Sequence, residues 1–183
     1  MRLADKYAEF IYQVATTKNK FRIVATPIGI ILWFGLSVLF IFASLWLDEL
    51  LPVHLSLSPL SNIFLSLPLL VIGVTLGLGT VYSFIKARGS PVPFNPPKKL
   101  ITTGLYSWVR NPMTLGWIIM LFGVGILLNS ISLIFIFTPL FILLNVLYLK
   151  TIEEKEMEKK FGKEYLNYKE SVPMFLPRFR KRK

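Results

Sequence analysis

The 183-residue chain has 54% hydrophobic residues, a mean hydropathy of +0.58, and 21 Lys and Arg residues against 10 Asp and Glu residues. With no cysteine and one histidine, the sequence excludes disulfide frameworks, Cys-ligated zinc or iron–sulfur centres, thiolate nucleophiles and His-rich metal sites. Because half of the chain is apolar while the net charge is +11, the positions of the charges decide the class of protein.

The apolar residues are concentrated in three uncharged stretches. Residues 23–47 and 60–85 each exceed the roughly 20 residues that a helix needs to cross a bilayer core. Residues 113–149 are too long for one ordinary span and contain the turn-prone pair Asn129-Ser130 near their middle. We therefore predict an all-α polytopic membrane protein of one domain, with four transmembrane helices at 23–47, 60–85, 113–129 and 131–149.

The basic residues indicate the orientation of these helices. Five lie in residues 1–22, five in 86–112 and eleven from Lys150 onward, whereas 48–59 has none. The positive-inside rule therefore places both termini and the 86–112 loop in the cytoplasm. The predicted cytoplasmic parts are an N-terminal helix at 1–22, the loop at 86–112, and an amphipathic C-terminal helix with a basic tail at 150–183. The first apolar stretch is too long for a signal-peptide core, so we expect no cleavage.

This distribution also changes the meaning of the net charge. A topogenic and lipid-facing role accounts for it without a nucleic-acid partner, and we expect the basic cluster at 178–183 to contact anionic lipid headgroups. No predicted span contains Asp, Glu, Lys, Arg or His, which argues against ion pumps and carriers of charged substrates. Gly73 and Gly77 favour close helix packing within one chain or between two, so the oligomeric state stays open.

Two segments of the predicted cytoplasmic side carry a specific pattern. The first has four prolines between positions 91 and 97, which stiffen the loop, and continues as ITTGLYSWVRNPMTLGW over 101–117. Tyr106 suits the headgroup level, and Pro112 suits the first turn of the third span. Amide groups at the start of that helix, beside Arg110, would favour an anionic ligand, but an ordinary interfacial loop explains the local chemistry equally well.

The second segment begins at Lys150, where neither Gly nor Pro follows the fourth span, so we predict that this helix continues out of the membrane. Glu153 and Glu154 lie within about a turn of the membrane end and point about 100° apart, so one can face a pocket while the other faces water. A solvated acidic patch is the alternative. We expect an apolar stripe to pack on cytoplasmic parts of the protein or on the bilayer; it comprises Ile152, Met157, Phe161, Tyr165 and Tyr168.

Together, the two segments resemble the isoprenylcysteine carboxyl methyltransferase and phospholipid methyltransferase family of integral membrane enzymes. The resemblance covers nearly half of the chain. It is carried by LITTGLYSWVRNPMTLGW at 100–117, the Glu153-Glu154 pair and FGKEYLNYKESVP at 161–173, in the order and spacing of the family. Residues 1–90 are similar to the family only in being membrane-spanning.

The resemblance implies methyl transfer from S-adenosylmethionine, held on the cytoplasmic side between the loop before the third span and the helix after the fourth. The family's cofactor-binding positions fall on Leu100, Ile101, Tyr106, Asn111, Pro112, Thr114 and Glu153. The candidate catalytic residues are Arg110, which we assign to a carboxylate or an anionic substrate headgroup, and Glu154, which would take the proton of an amine substrate unless water does. No metal is implied.

Departures from the family bear on the methyl acceptor. Asn111 replaces a common His, Thr114 replaces a frequent Tyr, and Leu149 and Lys150 stand where eukaryotic prenylcysteine enzymes carry an Arg. The last difference argues against a prenylcysteine carboxylate, and we expect a lipophilic or small membrane-permeant carboxylate, amine or thiol. The alternative functions are an NADPH-dependent membrane reductase of related fold and a non-enzymatic scaffold whose basic tail binds anionic lipid or a partner.

Overall fold

The computed structural model describes residues 20–51, 55, 57–87 and 99–176, and its first described side chain is that of Ile31. All regular elements in these ranges are helical. They are α1 (Lys20–Leu50), α2 (Pro59–Lys86), a 3₁₀ turn (Gly104–Ser107), α3 (Pro112–Leu127), α4 (Thr138–Tyr148), α5 (Glu154–Phe161) and α6 (Lys163–Ser171), with π-helical turns at Leu133–Phe137 and Leu149–Glu153. Residues 1–19 of the predicted N-terminal helix, the proline-rich part of the loop and the basic cluster at 178–183 lie outside the described residues.

Three helices are long and apolar enough to cross a membrane. They are the Trp33–Leu50 part of α1, the whole of α2, and a continuous helix over Leu133–Phe161 that contains α4 and α5. The remaining predicted span, 113–129, corresponds to α3, which is apolar but has only 16 residues. The all-helical class is confirmed for the described residues, whereas α3 is shorter than a helix that crosses a bilayer core by itself.

Contacts at the helix ends show that successive helices run in opposite directions. The Asp48 carboxylate, near the end of α1, accepts hydrogen bonds from Ser130 Oγ at 2.5 Å and from the Ser132 amide at 2.8 Å. The side chain of Asn129 meanwhile bonds to the backbone of Leu57, just before α2. The predicted turn at Asn129-Ser130 is confirmed, and Asp48 caps the helix that begins after it. We call this side of the protein the Asp48 end.

α2 and α3 approach closely because two glycines face each other where the helices meet. A Cβ added at Gly73 would lie 2.6 Å from the Gly116 carbonyl oxygen, and a Cβ at Gly116 would lie 2.8 Å from the Gly73 carbonyl oxygen. Small residues permit this backbone approach in apolar surroundings. The predicted packing role is thus confirmed for Gly73, within one chain. A Cβ added at Gly77 would itself meet nothing within 4 Å, but the backbone nitrogen of Gly77 lies 3.4 Å from a Cβ added at Gly116, so Gly77 also lies at the contact between the two helices.

The apolar core joins α1, α3 and α4. We call its centre the helix core; it consists of Phe40, Ile118, Leu121 and Phe141, each at most 7% exposed. Trp117 packs against it, and the indole nitrogen donates a hydrogen bond to Ser37 Oγ at 2.7 Å, so that this polar group is paired. α2 packs against α3 and the 3₁₀ turn, and apolar side chains such as Phe64 and Leu78 on its other faces are exposed. Such side chains are suited to contact with lipid.

The uncharged part of the last long helix ends at Leu149, and the helix continues to Phe161, as predicted. The same helix was predicted to continue beyond Phe161, but it ends there. Gly162 adopts φ 55° and ψ −128°, and a separate helix, α6, follows. Glycine tolerates this backbone conformation, which side chains of L-residues disfavour. The break brings Tyr165 and Tyr168 into contact with Met157 and Phe161, so most of the predicted apolar stripe packs within the protein.

Candidate active site

The segment before α3 is held by local hydrogen bonds and by α2. Gly104, at φ 64°, opens the 3₁₀ turn, and Ser107 Oγ donates to its carbonyl oxygen at 2.7 Å. Leu105 rests on α2 so closely that a Cβ added at Gly79 would lie 2.8 Å from Leu105 Cδ1. The turn therefore places the residues that follow it, including Arg110, at the side of the protein opposite the Asp48 end. We call this side the Arg110 end.

An ion-pair network joins this segment to the two C-terminal helices. Arg110 Nη1 lies 2.8 Å from Glu154 Oε1, and Lys169 Nζ lies 2.6 Å from Glu154 Oε2 and 2.8 Å from Glu158 Oε1. The side chains of Arg110 and Glu154 are only 10% and 9% exposed. Hydrogen bonds to Glu154 and Glu158 raise the pKa of Lys169 above its ordinary value. Buried charges need such partners, and the network provides them.

The two adjacent glutamates have different surroundings, as their angular separation on a helix predicts. Glu154 is buried in the network, whereas Glu153 is partly exposed and makes no hydrogen bond or ion pair with the described residues. Burial, and then the charge of Glu153, raise the pKa of the Tyr106 phenol. One carboxylate of the pair is thus held in ion pairs, and the other has no such partner among the described residues.

Two tyrosines of α6 cover the other side of the network. Tyr165 and Tyr168 form a buried cluster with Val172, which we call the α6 cluster, and Leu100 packs against it. Tyr168 OH donates to the Tyr106 carbonyl at 2.7 Å, and Arg110 Nη1 donates to the Tyr165 oxygen at 3.3 Å. Burial raises the pKa of Tyr165 to about 12 despite the opposing charge of Arg110, and burial also raises the pKa of Tyr168. Burial therefore strengthens the preference of both phenols for the neutral form.

Beyond α6, the chain returns to the start of α3. We call residues 172–176 the C-terminal strap. The Arg110 amide donates to the Pro173 carbonyl at 2.8 Å, and the Asn111 amide donates to the Met174 carbonyl at 3.2 Å. Phe175 packs against the helix core. The strap is therefore paired, through backbone hydrogen bonds, with the two residues that immediately precede α3.

The structure brings several of the predicted site residues into direct contact with one another or with α6. Arg110 and Glu154, the two candidate catalytic residues, form an ion pair with each other. Tyr106 is bonded to α6 through its carbonyl oxygen, and its ring meets Phe84 of α2 edge to face at 5.9 Å. Leu100, which precedes the 3₁₀ turn in the chain, packs against the α6 cluster. These contacts place both predicted segments in one site.

The other predicted residues lie nearby without fixed side-chain partners. Pro112 begins α3 and is buried, and Asn111 immediately precedes the helix without making a side-chain capping hydrogen bond. Ile101, Thr114 and Glu153 are partly exposed. Neither Thr114 nor Glu153 forms a side-chain hydrogen bond within the described residues. These groups are therefore available to bind a ligand.

Some contributors to the site were not predicted from the sequence. Tyr165 and Tyr168 were expected to pack but not to serve as polar partners, and Lys169 was not singled out. Gly162, inside an otherwise helical pattern, was the signal for a break that brings Lys169 back to Glu154. The strap left no such signal, because its contribution is made by backbone carbonyls, which every residue has.

Two groups at the Arg110 end have unused bonding capacity. Arg110 Nε is buried and has no hydrogen-bond partner in the described part of the chain, and the Glu153 carboxylate is unpaired there as well. A buried guanidinium N–H favours an anionic acceptor, whereas a free carboxylate favours a hydroxyl or ammonium donor. The site therefore suits a ligand that has both an acidic group and hydroxyl or amino groups.

Comparison with known proteins identifies the family of this chain. Residues 61–164, more than half of the chain, match the phospholipid methyltransferase family. The chain belongs to the phospholipid methyltransferase family. The matched residues include α2 from Ser61 onward, the 3₁₀ turn, α3, α4 and α5, and thus both Arg110 and the Glu153-Glu154 pair. The family resemblance proposed from the sequence motifs is confirmed.

Several proteins that are similar to this chain are named as methyltransferases. The chain is 28% identical over 101 residues to methanethiol S-methyltransferase of Crocosphaera subtropica, a match that covers 55% of this chain and 36% of the relative. It is 35% identical over 85 residues to protein-S-isoprenylcysteine O-methyltransferase of Xenopus laevis, and 34% identical over 89 residues to that of Mus musculus. Each of these two matches covers 43% of this chain and 27% of the relative. The chain thus spans well under half the length of the curated relatives it matches.

Proposed function

We propose that this protein is an integral membrane methyltransferase that moves a methyl group from S-adenosylmethionine to a lipophilic or small membrane-permeant acceptor. One observation carries the proposal: the segment before α3, the Glu153-Glu154 pair and α6 converge on one site, within or beside the residues that match the family. The relatives described above support it, since each is a methyltransferase by name.

The residues at the Arg110 end fit the chemistry of this cofactor. Leu100, Ile101 and Tyr106 would form an apolar and aromatic wall for the adenine ring. The unpaired Glu153 carboxylate would accept hydrogen bonds from the ribose hydroxyls or the ammonium group of the cofactor. The buried Arg110 Nε–H would donate to the methionyl carboxylate of the cofactor. Asn111, Pro112 and Thr114 would border the same ligand at the start of α3. When bound, the cofactor supplies a methyl group activated on a sulfonium sulfur.

The chain's own part in the reaction is to position the reactants and to exclude water. Glu154 already bonds to two cationic side chains, Arg110 and Lys169. We therefore assign Glu154 to holding the guanidinium in place, as a positioning residue, and not to taking a proton from the acceptor. The buried tyrosines of α6 shield this ion pair from water on one side.

The setting of the site supports the acceptor class that we propose. The site lies at the ends of long apolar helices whose outward side chains suit lipid, so an acceptor dissolved in the bilayer would reach it easily. The relatives' names point to a small thiol in one case and to an isoprenylated cysteine in the other, and both are compatible with entry from a membrane. We place the site on the cytoplasmic side because the basic segments lie at this end.

Cofactor binding to the purified protein tests this proposal. We expect the wild-type protein in detergent to bind S-adenosylmethionine in a calorimetric titration. Glu153→Gln should raise the Kd at least tenfold, because the neutral amide loses its attraction for an ammonium group and half of its acceptor capacity. Glu164→Gln is the matched control, since Glu164 is exposed on α6, and it should bind like the wild type.

Four results would count against these assignments. Failure of the folded wild-type protein to bind S-adenosylmethionine would contradict the proposed function. Protection against heat by NADPH, with S-adenosylmethionine inert, would support a reductase instead, and binding of anionic vesicles with neither cofactor would support a scaffold. Wild-type affinity in Glu153→Gln would remove the role of Glu153 alone. Incubation with methyl-labelled cofactor and an extract of membrane lipids and small thiols would then identify the acceptor by its label.

A further inference from the structure

The C-terminal strap connects two separate apolar clusters. Val172, at its start, is 3% exposed within the α6 cluster, whereas Phe175 packs against the helix core between α1, α3 and α4. A chain segment that is anchored at both ends has a defined path between them. Along that path lie the carbonyl groups of Pro173 and Met174, which face the start of α3.

Those two carbonyls accept the amides of Arg110 and Asn111, at 2.8 Å and 3.2 Å. Both amides precede the first residue of α3, so the helix does not provide partners for them. The bonds matter here because they set where the backbone of Arg110 lies, and the guanidinium that pairs with Glu154 extends from that backbone.

We propose that Phe175 is a positioning residue for the active site. By packing against the helix core, its ring holds the strap against the backbone of Arg110 and Asn111 and thereby aligns the Arg110 guanidinium. The consequence for cofactor affinity rests on the proposed function; the effect on the two amides does not. A shift of about 1 Å in a ligand-positioning group is enough to reduce activity a hundredfold, so a distant aromatic anchor can control the site.

The neighbouring residue provides a matched control. Leu176 belongs to the same strap and is similarly apolar, but its side chain is 80% exposed. Truncation of Leu176 removes apolar surface without removing an anchor. If the strap acted only through its general apolar character, the two positions would respond alike.

Hydrogen exchange and cofactor titration of Phe175→Ala, Phe175→Leu and Leu176→Ala test the proposal. In Phe175→Ala, the amides of Arg110 and Asn111 should exchange at least tenfold faster, while the amides of α2 keep wild-type exchange. The Kd for S-adenosylmethionine should rise at least tenfold. Phe175→Leu restores an apolar anchor and should recover most of both properties, and Leu176→Ala should match the wild type. Pro112 has no amide hydrogen, so in a peptide that ends at Pro112 the last exchanging amides are those of Arg110 and Asn111.

The outcomes separate the two proposals. Wild-type exchange at both amides in Phe175→Ala, or an equal acceleration throughout the chain, would overturn the positioning role. Absence of cofactor binding in the wild type would contradict the proposed function, while the exchange data would still decide the role of Phe175. If Phe175→Ala does not fold, Phe175→Leu and Phe175→Val take its place: exchange that rises as side-chain volume falls supports the proposal, and equal exchange overturns it.

Discussion

Glu154 illustrates how a single residue acquires its role from its partners. Its carboxylate lies between the Arg110 guanidinium of one segment and the Lys169 ammonium of another, and only 9% of its side chain is exposed. The free energy of such a pair is modest as a whole, because desolvation offsets the attraction. Removal of one partner is costly, since it leaves the opposite charge buried and unpaired.

We predict that Glu154→Gln lowers the free energy of unfolding by about 3 kcal/mol, the usual cost of breaking a buried ion pair. Glu158→Gln is the matched control on the same helix. Glu158 pairs only with Lys169 among the described contacts, and 35% of its side chain is exposed, so its loss should cost about 1 kcal/mol or less. Thermal or denaturant unfolding in one detergent measures both. Equal stability of the two variants would contradict a buried, structural role for Glu154.

The difference between Glu153 and Glu154 was partly predictable. Helical periodicity predicts that adjacent residues face different directions, and the structure agrees. Periodicity does not determine which of the two faces inward, because that depends on where Arg110 and Lys169 lie. Family position assigned Glu153 to the cofactor, and its unpaired carboxylate is compatible with that proposal.

At the scale of elements, the contact between α2 and α3 depends on the absence of side chains. The carbonyl oxygens of Gly73 and Gly116 occupy the space that a Cβ on the facing glycine would need. In a membrane, where lipid solvates apolar side chains as well as protein does, close backbone packing of this kind supplies much of the attraction between helices. The position of α2 in turn supports the 3₁₀ turn that leads to Arg110.

We predict that Gly116→Ala destabilises the protein by about 1–3 kcal/mol, since the new methyl group overlaps the backbone of α2. Gly77→Ala, on the facing helix, is the matched control, because a Cβ there would meet nothing within 4 Å. Alanine also favours a helix more than glycine does, so Gly77→Ala should be neutral or slightly stabilising. Unfolding midpoints in detergent compare the variants, and a neutral Gly116→Ala would show that α2 and α3 are not packed through these glycines.

Across the whole molecule, the helix ends are sorted into two groups. Asp48, Asn129 and Leu57 meet at one end, and Arg110, Glu154 and α6 meet at the other. The contacts show that the two groups lie on opposite sides, and the positive-inside rule supplies the prediction of which side is cytoplasmic.

Single cysteines measure this orientation cleanly because the chain has no cysteine of its own. Glu49→Cys and Asn167→Cys both replace exposed residues, one beside Asp48 and one on α6. We predict that the first reacts with a membrane-impermeant maleimide in intact cells and that the second reacts only after permeabilisation. Labelling in the reverse order would invert the predicted topology and place the active site outside.

The sequence by itself determined the apolar helices, the turn at Asn129-Ser130 and the family, because hydrophobicity over about twenty residues and motifs in register are local properties of a chain. Only the tertiary structure decided which glutamate is paired, how α6 folds back at Gly162, and which residues the strap supports. These features join residues that are far apart in sequence, such as Arg110 and Glu154 at a separation of 44 and Tyr106 and Tyr168 at 62. Local patterns carry no information about such pairings, since the paired groups come together only when the helices pack.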